Sequence, residues 1–193
     1  MVSQEDMSLV RSFIAVDIES PDVIKKIEEV QREVLRLGLD IKLVERENLH
    51  ITLRFLGEIP QSRVDSIIKA LASVKFNKFM IKLAELGVFP DLSRPRVLWI
   101  GVSQGAEELT KLANIVRETV DKYAEHKEDR EFTPHLTIGR IKSGQNAHKL
   151  REFVQRYKGV EFGVVAVEKV KLKRSVLTPR GPIYSDLFVL HLT

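Results

Sequence analysis

The sequence contains no cysteine among its 193 residues. This absence excludes disulfide bonds, cysteine-ligated zinc sites and thiol nucleophiles, and it favours a reducing, cytoplasmic setting. No apolar run approaches the roughly 18 residues of a transmembrane helix. The segment from Met1 to Asp6 is polar and acidic, so we expect a cytoplasmic protein without a secretory signal and without membrane contact.

Neither sign of charge dominates the composition. Lys and Arg total 31, Asp and Glu total 27, and the formal net charge is +4. This mild excess favours an anionic partner but is far too small to indicate nucleic-acid binding by itself. Hydrophobic residues make up 44% of the chain, which predicts a buried core, and the length fits one sizeable domain or two small, closely packed lobes.

The most informative feature that is present is a four-residue pattern that occurs twice, as His50-Ile51-Thr52-Leu53 and His135-Leu136-Thr137-Ile138. In a β-strand alternate side chains share a face, so each histidine and its threonine point one way while the apolar residues point into a core. Two such strands side by side place two imidazoles and two hydroxyls on one surface. These groups supply an acid, a base and two hydrogen-bond donors for chemistry on a phosphate.

A single copy of this pattern is more often a hydrogen-bonded histidine on a half-buried strand than a catalytic group. The chain has five histidines, and two copies among them arise by chance on the order of 1% of the time. The duplication therefore favours a functional pair. Nothing in the two copies distinguishes the acid from the base.

Apolar periodicity predicts a mixed succession of strands and helices. The predicted strands cover residues 11–18, 41–44, 49–56, 79–88, 96–102 and 134–141, a stretch near 160–172, and 183–192; the predicted helices cover 21–37, 60–74, 107–123 and 147–157. Short turns between several strands indicate an α+β fold with mostly antiparallel sheets. Because each motif shortly precedes a helix, we expect two pseudo-symmetric lobes that line a central cleft, with helices outside. We expect residues 1–10 to form a flexible extension and residues 11–193 a single bilobal catalytic domain.

Further short segments accompany the motifs along the chain: Arg11-Ser12-Phe13-Ile14-Ala15, Asn48-Leu49, Phe55-Leu56-Gly57, Pro95-Arg96-Val97-Leu98-Trp99, Phe132-Thr133-Pro134, Gly139-Arg140 and Gly181-Pro182-Ile183-Tyr184. In this order and spacing, they and the motifs resemble the two-histidine phosphoesterase superfamily. Within it, the sequence is most similar to the RNA 2′,3′-cyclic phosphodiesterases, also called RNA 2′–5′ ligases (LigT-like). The likeness covers nearly the whole chain after residue 10, and it implies the same bilobal α+β fold.

The resemblance also implies a reaction, the hydrolysis of a 2′,3′-cyclic phosphate at an RNA 3′ end to a 2′-phosphomonoester. It implies that His50 donates a proton to the departing 3′ oxygen and that His135 accepts one from water, while Thr52 and Thr137 donate hydrogen bonds to the phosphate. Two imidazoles with ordinary pKa values near 6.5 can divide these roles without a metal or a cofactor. The reverse reaction, ATP-independent joining of RNA ends through a 2′–5′ bond, requires no further residue. We expect a monomer that acts on RNA with cyclic phosphate ends, tRNA fragments included.

Three further residues are candidate substrate-binding groups. Arg140 matches an arginine that the resemblance places near the phosphate; strict alternation turns it away from the His135 face, so the strand must end, twist or bulge there, and the alternative is a surface arginine. Arg54 shares the face of His50 by alternation. Phe132 is able to stack on a terminal base, or it belongs to the core.

The remaining signals are weaker. The basic stretch from Lys169 to Arg174 favours a solvated strand face, with contact to an RNA backbone as the sharper alternative. His126, His148 and His191 lack motif context and receive no role.

Three other functions compete with this prediction. A metal hydrolase is disfavoured because the histidines lack the close spacing of zinc ligands and no cysteine is present. A module that binds RNA ends or nucleotides without turnover is the alternative from a different class. A phosphodiesterase for other 2′–5′ or cyclic nucleotides is the alternative within catalysis.

Overall fold

The structure, a computed structural model, describes residues 8–193. Its strands are β1 (Leu9–Asp17), β2 (Ile41–Leu43), β3 (His50–Pro60), β4 (Phe79–Phe89), β5 (Val97–Gln104), β6 (His135–Ile141), β7 (Glu161–Val167), β8 (Lys169–Thr178) and β9 (Gly181–His191). Its α-helices are α1 (Pro21–Arg36), α2 (Gln61–Ala72), α3 (Ala106–Val120) and α4 (Lys149–Arg156), and two short 3₁₀ turns cover Arg46–Asn48 and Asp121–Tyr123.

The strands form two antiparallel sheets. The first has the order β3-β1-β8-β9 and carries His50, and we call it the His50 sheet. The second has the order β2-β6-β5-β4-β7 and carries His135, and we call it the His135 sheet. Helix α1 packs against β6 and β7, α2 packs against β3, and α3 contacts strands of both sheets. The predicted α+β fold with antiparallel sheets is confirmed.

Helix α1 forms for the reasons that its sequence suggests. Pro21 stands at the first helical position, and the side chains of Ile27 and Val34 lie one above the other on the buried face. Ser20 occupies the position before the helix, but its hydroxyl makes no capping hydrogen bond. The buried apolar face therefore stabilises the helix more than its cap does. No helix within residues 8–193 is long and apolar enough to cross a membrane.

Several predicted boundaries are wrong, and β3, for example, runs on to Pro60 instead of ending at residue 56. Leu9 and Val10 belong to β1, because their backbone pairs with Pro60 and Ile59 of β3. The Ser8 carbonyl accepts a hydrogen bond from the Gln61 amide, and residues 1–7 of the predicted extension lie outside the described residues. The stretch predicted as one strand near 160–172 is two strands, β7 and β8, which belong to different sheets. Only Glu168 separates them, so the apolar pattern runs on without a visible break.

The two motif strands meet although they belong to different sheets. Strand β3 is the edge of the His50 sheet, and it contacts β6 of the His135 sheet. Just before β3, the Val44 amide donates a hydrogen bond to the Ile138 carbonyl (3.0 Å). The side-chain amide of Asn48 donates another to the Pro182 carbonyl (3.2 Å) at the turn into β9. The Val44 bond continues the β2–β6 pairing within the His135 sheet, and the Asn48 bond joins the segment before β3 to β9 of the His50 sheet. The Nζ atom of Lys42 in β2 donates to the Arg180 carbonyl between β8 and β9 (3.2 Å) and so links the two sheets.

Candidate active site

Each motif histidine is held through the same hydrogen bond, to the backbone carbonyl two residues before it. The Nδ1 atom of His50 lies 2.6 Å from the Asn48 carbonyl oxygen, and the Nδ1 atom of His135 lies 2.6 Å from the Thr133 carbonyl oxygen. Because a carbonyl oxygen only accepts, Nδ1 carries the hydrogen in both rings. The Nε2 atom of each ring is therefore the one left for proton transfer.

Two aromatic rings and a hydroxyl surround His50. The ring centroids of Phe13 and Tyr184 lie 4.9 and 5.4 Å from the centroid of the imidazole. The Nε2 atom of His50 lies 3.0 Å from Oγ1 of Thr52. Thr52 thus shares the face of His50, as the alternation of the strand requires.

His135 also lies against two aromatic rings, those of Phe89 at 4.9 Å and Trp99 at 6.2 Å. Trp99 lies opposite Thr137 in the β5–β6 register. Its ring covers Gly87 of β4, where a Cβ atom would come within 2.2 Å of the indole. The glycine therefore allows the indole to lie flat on the sheet beside His135. The four aromatic residues around the two imidazoles were not predicted as site residues, because an aromatic side chain in a strand is normally a core residue.

Both motif strands contain a β-bulge at the same place. The β1–β3 register skips Leu53, and the β5–β6 register skips Ile138. Each skipped residue stands three positions after its motif histidine. A bulge reverses the alternation beyond it, so the fifth residue after each histidine turns to the histidine face. These residues are Phe55 and Arg140.

Arg140 consequently lies near both imidazoles. Burial is the main cause that lowers the pKa of His50 and of His135, and the positive charge of Arg140 lowers both pKa values further. Burial raises the pKa of Tyr184, and Arg140 opposes that rise. One guanidinium thus acts on groups of both sheets. The bulge that the sequence prediction for Arg140 requires is therefore present, at Ile138.

The prediction that Arg54 shares the His50 face is wrong. The bulge at Leu53 breaks the alternation, and the side chain of Arg54 is only 3% exposed. Its guanidinium has four acceptors: side-chain oxygens of Asp121 at 2.8 Å and Glu128 at 3.1 Å, and the carbonyl oxygens of Phe55 and His126 at 2.8 Å each. Arg54 therefore joins β3 to the segment that follows α3.

Phe55 is the side chain that the bulge turns toward the cleft in place of Arg54. The guanidinium of Arg11 lies 4.7 Å from the centroid of its ring, and the His126 ring lies edge-on at 6.0 Å. Phe132 is partly buried and packs against the core, with the Arg117 guanidinium 6.0 Å from its ring centroid. These contacts favour the core alternative for Phe132, and its stacking on a base stays a prediction.

The basic stretch in β8 is not a uniformly solvated face. The side chains of Lys171 and Lys173 are 12% and 7% exposed, and the ammonium groups of both lie 2.8 Å from Oδ2 of Asp17. Neither a solvated face nor contact with an RNA backbone describes these two lysines, because protein carboxylates already pair with them. Arg174, by contrast, is exposed.

The groups that the two motif strands offer are two imidazoles, two threonine hydroxyls and one guanidinium. Among residues 8–193, no three histidine, aspartate or glutamate side chains lie close enough together to hold a metal ion. The geometry supplies two nitrogen atoms for proton transfer and several donors for an anion.

Comparison with known proteins places the chain among phosphoesterases. The family model described as LigT like Phosphoesterase matches residues 16–99 and 100–184. Each matched segment contains one His-x-Thr motif. This division agrees with two related halves, each of which contributes one motif strand.

Curated relatives cover nearly all of the chain. The RNA 2′,3′-cyclic phosphodiesterase of Archaeoglobus fulgidus is similar at 40% identity over 93% of this chain and 98% of its own length. The protein of the same name from Aquifex aeolicus is 43% identical over 93% of this chain and 95% of its own length. The crystal structure of Escherichia coli LigT in its apo form has a TM-score of 0.75 at 24% identity, over 96% of this chain and 99% of that one, and it shows the fold.

Proposed function

The chain belongs to the LigT-like phosphoesterase family, and we propose that it hydrolyses RNA 2′,3′-cyclic phosphate ends to 2′-phosphomonoesters through acid–base catalysis by His50 and His135. Relatives with the name RNA 2′,3′-cyclic phosphodiesterase support an enzyme of this kind. The observation that carries the mechanism is the pair of Nε2 atoms, which are available for proton transfer because each Nδ1 bonds to a backbone carbonyl.

The reaction needs one proton acceptor and one proton donor on opposite sides of the phosphorus atom. Nε2 of His135 accepts a proton from water as the water oxygen bonds to phosphorus. The bond from phosphorus to the 3′ oxygen breaks, and Nε2 of His50 gives its proton to that oxygen. Arg140 binds the phosphate, and the hydroxyl of Thr137 donates a hydrogen bond to a non-bridging oxygen as negative charge grows there.

The surroundings of the two imidazoles support this division of roles. Burial lowers the pKa of His50, and Lys173 and Arg140 lower it further, but the carboxylate of Asp17 acts against them and favours the charged form. For His135 the neighbouring charge that affects the pKa is Arg140, which favours the neutral form. A histidine beside a carboxylate suits the donor, and a histidine beside a cation suits the acceptor.

Thr52 changes its hydrogen bond as His50 takes up a proton. When Nε2 of His50 is unprotonated, the Thr52 hydroxyl donates to it across 3.0 Å. Protonation at Nε2 makes His50 the donor, so the hydroxyl hydrogen of Thr52 turns to another acceptor. A non-bridging phosphate oxygen is the acceptor that the substrate supplies.

The test uses a short RNA that ends in a 2′,3′-cyclic phosphate, incubated with protein in EDTA. We expect turnover to a 2′-phosphate, identified by ³¹P NMR against synthetic 2′- and 3′-phosphate standards. A 3′-phosphate product would reverse the orientation of the substrate and remove the basis for the assigned roles. Binding of the RNA without turnover would favour a non-catalytic module, and activity that requires added Zn²⁺ or Mg²⁺ would contradict metal-free catalysis.

The same groups serve the reverse reaction. If the 5′ hydroxyl of a second RNA replaces water, His135 removes its proton as the 5′ oxygen bonds to phosphorus, and His50 again protonates the departing 3′ oxygen, which leaves a 2′–5′ bond. Incubation with excess 5′-hydroxyl RNA and no ATP tests this joining. The predictions that tRNA fragments are substrates, that the enzyme is a monomer and that it is cytoplasmic stay predictions.

A further inference from the structure

Four charged side chains form a compact cluster on the His50 sheet, and we call it the Asp17 cluster: Asp17, Lys171, Lys173 and Asp186. The Nζ atom of Lys173 lies 3.0 and 2.8 Å from the two carboxylate oxygens of Asp17, and Nζ of Lys171 lies 2.8 Å from one of them. Asp186 approaches Lys173 at 3.0 Å and Lys171 at 3.3 Å. Both aspartates are shared by both lysines, and the exposed Glu19 also approaches Lys171 at 3.3 Å.

The cluster lies on the same face of the sheet as the imidazole of His50. Asp17 stands directly opposite His50 in the β1–β3 register, and directly opposite residues have neighbouring side chains. Lys173 stands opposite Phe13 in the β1–β8 register, and the Phe13 ring contacts the imidazole. The cluster is thus built into the strands that surround the proposed acid.

Stability alone is a poor reason for such a cluster. Partly buried ion pairs give up much of their attraction to the loss of hydration, and apolar residues of similar size often serve as well. The side chains of Asp17 and Lys173 are only 16% and 7% exposed, so their charges act on neighbours with little screening by solvent. A function that needs charge beside His50 explains the cluster better than packing does.

Three charged groups from three strands act on His50: Asp17 of β1, Lys173 of β8 and Arg140 of β6. The phenol ring of Tyr184 in β9 contacts the imidazole. Among these groups of the described chain, Asp17 is the anion, and it faces two cations and a phenol. If Asp17 were neutral, the imidazole would meet only positive charge. That surrounding favours loss of the proton that an acid must hold.

We propose that Asp17 is a positioning residue that favours the protonated form of His50 and thereby makes His50, rather than His135, the acid of the pair. The proposal rests on the proposed function for its consequence in catalysis. Its physical core, the influence of Asp17 on one of two histidines, does not depend on any substrate. The Asp17 cluster is then an electrostatic support for one half of the site.

The test is an NMR titration of both motif histidines in the full-length protein, compared with three variants. Asp17→Asn should lower the titration midpoint of His50 by roughly one pH unit, as expected for loss of a nearby opposite charge, and leave that of His135 nearly unchanged. Lys173→Met removes a cation from the same cluster and should move the His50 midpoint the opposite way. Glu19→Gln is the matched control, because Glu19 also binds Lys171 (3.3 Å) but its side chain is 62% exposed, and it should shift neither histidine.

Opposite displacements in Asp17→Asn and Lys173→Met separate a role in charge from a role in structure, since simple loosening of the cluster would move His50 in one direction for both. If Asp17→Asn does not fold, the Lys173→Met titration decides. Equal midpoints in the variants and the parent, or equal shifts at both histidines, would overturn the proposal.

In turnover assays the alkaline limb of kcat/KM should move to lower pH in Asp17→Asn. Failure of the parent protein to cleave cyclic phosphate RNA would instead count against the proposed function, whatever the titration shows.

Discussion

The two halves of the site share a scaffold and differ in their charges. Each has a strand with a His-x-Thr motif, a bond of 2.6 Å from histidine Nδ1 to a backbone carbonyl, and two aromatic neighbours around the ring. The His50 half adds a carboxylate within a cluster of buried charge, whereas the neighbouring charge that acts on His135 is Arg140. The shared features place the nitrogen atoms, and in the proposed mechanism the differing charges divide their roles.

The fifth residue after each histidine shows the same contrast. Identical bulges turn Phe55 toward the cleft in one strand and Arg140 in the other. One half thus presents an aromatic ring and the other a cation at equivalent positions. A substrate with a base and a phosphate fits this pair.

The largest expected effect in either half is the loss of its histidine. His50→Ala and His135→Ala should each lower kcat by about 10²–10⁴-fold, the usual contribution of an acid or a base. His148→Ala, at an exposed histidine outside the motifs, is the matched control and should keep normal turnover. Near-normal turnover in either motif variant, with an unchanged circular dichroism spectrum, would make that histidine structural.

The threonine hydroxyls should contribute less than the histidines. Thr52→Val and Thr137→Val keep the side-chain shape and should cost roughly 10–10³-fold in kcat, as for the loss of one donor to a developing negative charge. Thr119→Val on α3, whose hydroxyl bonds to the Ile115 carbonyl, provides the control. If neither motif variant slows the reaction, the threonines position their strands and do not touch the phosphate.

Removal of the cation shared by both halves should change affinity and pH dependence together. Arg140→Gln should lower kcat/KM by about 10–100-fold, because a charge-assisted bond to the phosphate is lost. Since Arg140 lowers the pKa of both histidines beyond the effect of burial, both limbs of the kcat/KM profile should move to higher pH in the variant. A variant that moves neither limb would place Arg140 outside the reach of the imidazoles.

Arg54 should behave in the opposite manner to Arg140. Arg54→Met removes a buried guanidinium with four acceptors, so we expect the free energy of unfolding to fall by about 2 kcal/mol with kcat nearly unchanged. Arg63→Met, at an exposed arginine that pairs with Glu125, should cost less than about 0.5 kcal/mol. Denaturant unfolding measures the free energy of unfolding of both variants. A loss of kcat without a loss of stability in Arg54→Met would indicate that Arg54 binds substrate in the cleft.

Sequence reasoning reaches those features of the site that depend on strand alternation alone. It predicts that Thr52 accompanies His50, because the two residues precede the bulge. The prediction fails at Arg54, which follows the bulge. A β-bulge depends on how the strand pairs with its neighbour, so the sequence of the strand alone does not reveal it. Arg140 was predicted through resemblance, against the alternation.

The sequence patterns do not predict features that depend on contacts between residues distant in the chain. Asp17 and Lys173 are 156 positions apart, and only the order of strands in the His50 sheet brings them together. The crossing between sheets at Glu168 is hidden for a similar reason, since strands of both sheets alternate in the same way.

The account is tested most directly by the pH dependence of kcat/KM on a cyclic phosphate RNA, measured in EDTA for the parent protein and for each histidine variant. The parent should trace a bell between two apparent pKa values that belong to the coupled pair. The activity that remains should lack the acidic limb in His135→Ala and the alkaline limb in His50→Ala. A flat profile in the parent, or the loss of the opposite limb in each variant, would contradict the division of acid and base between the two halves.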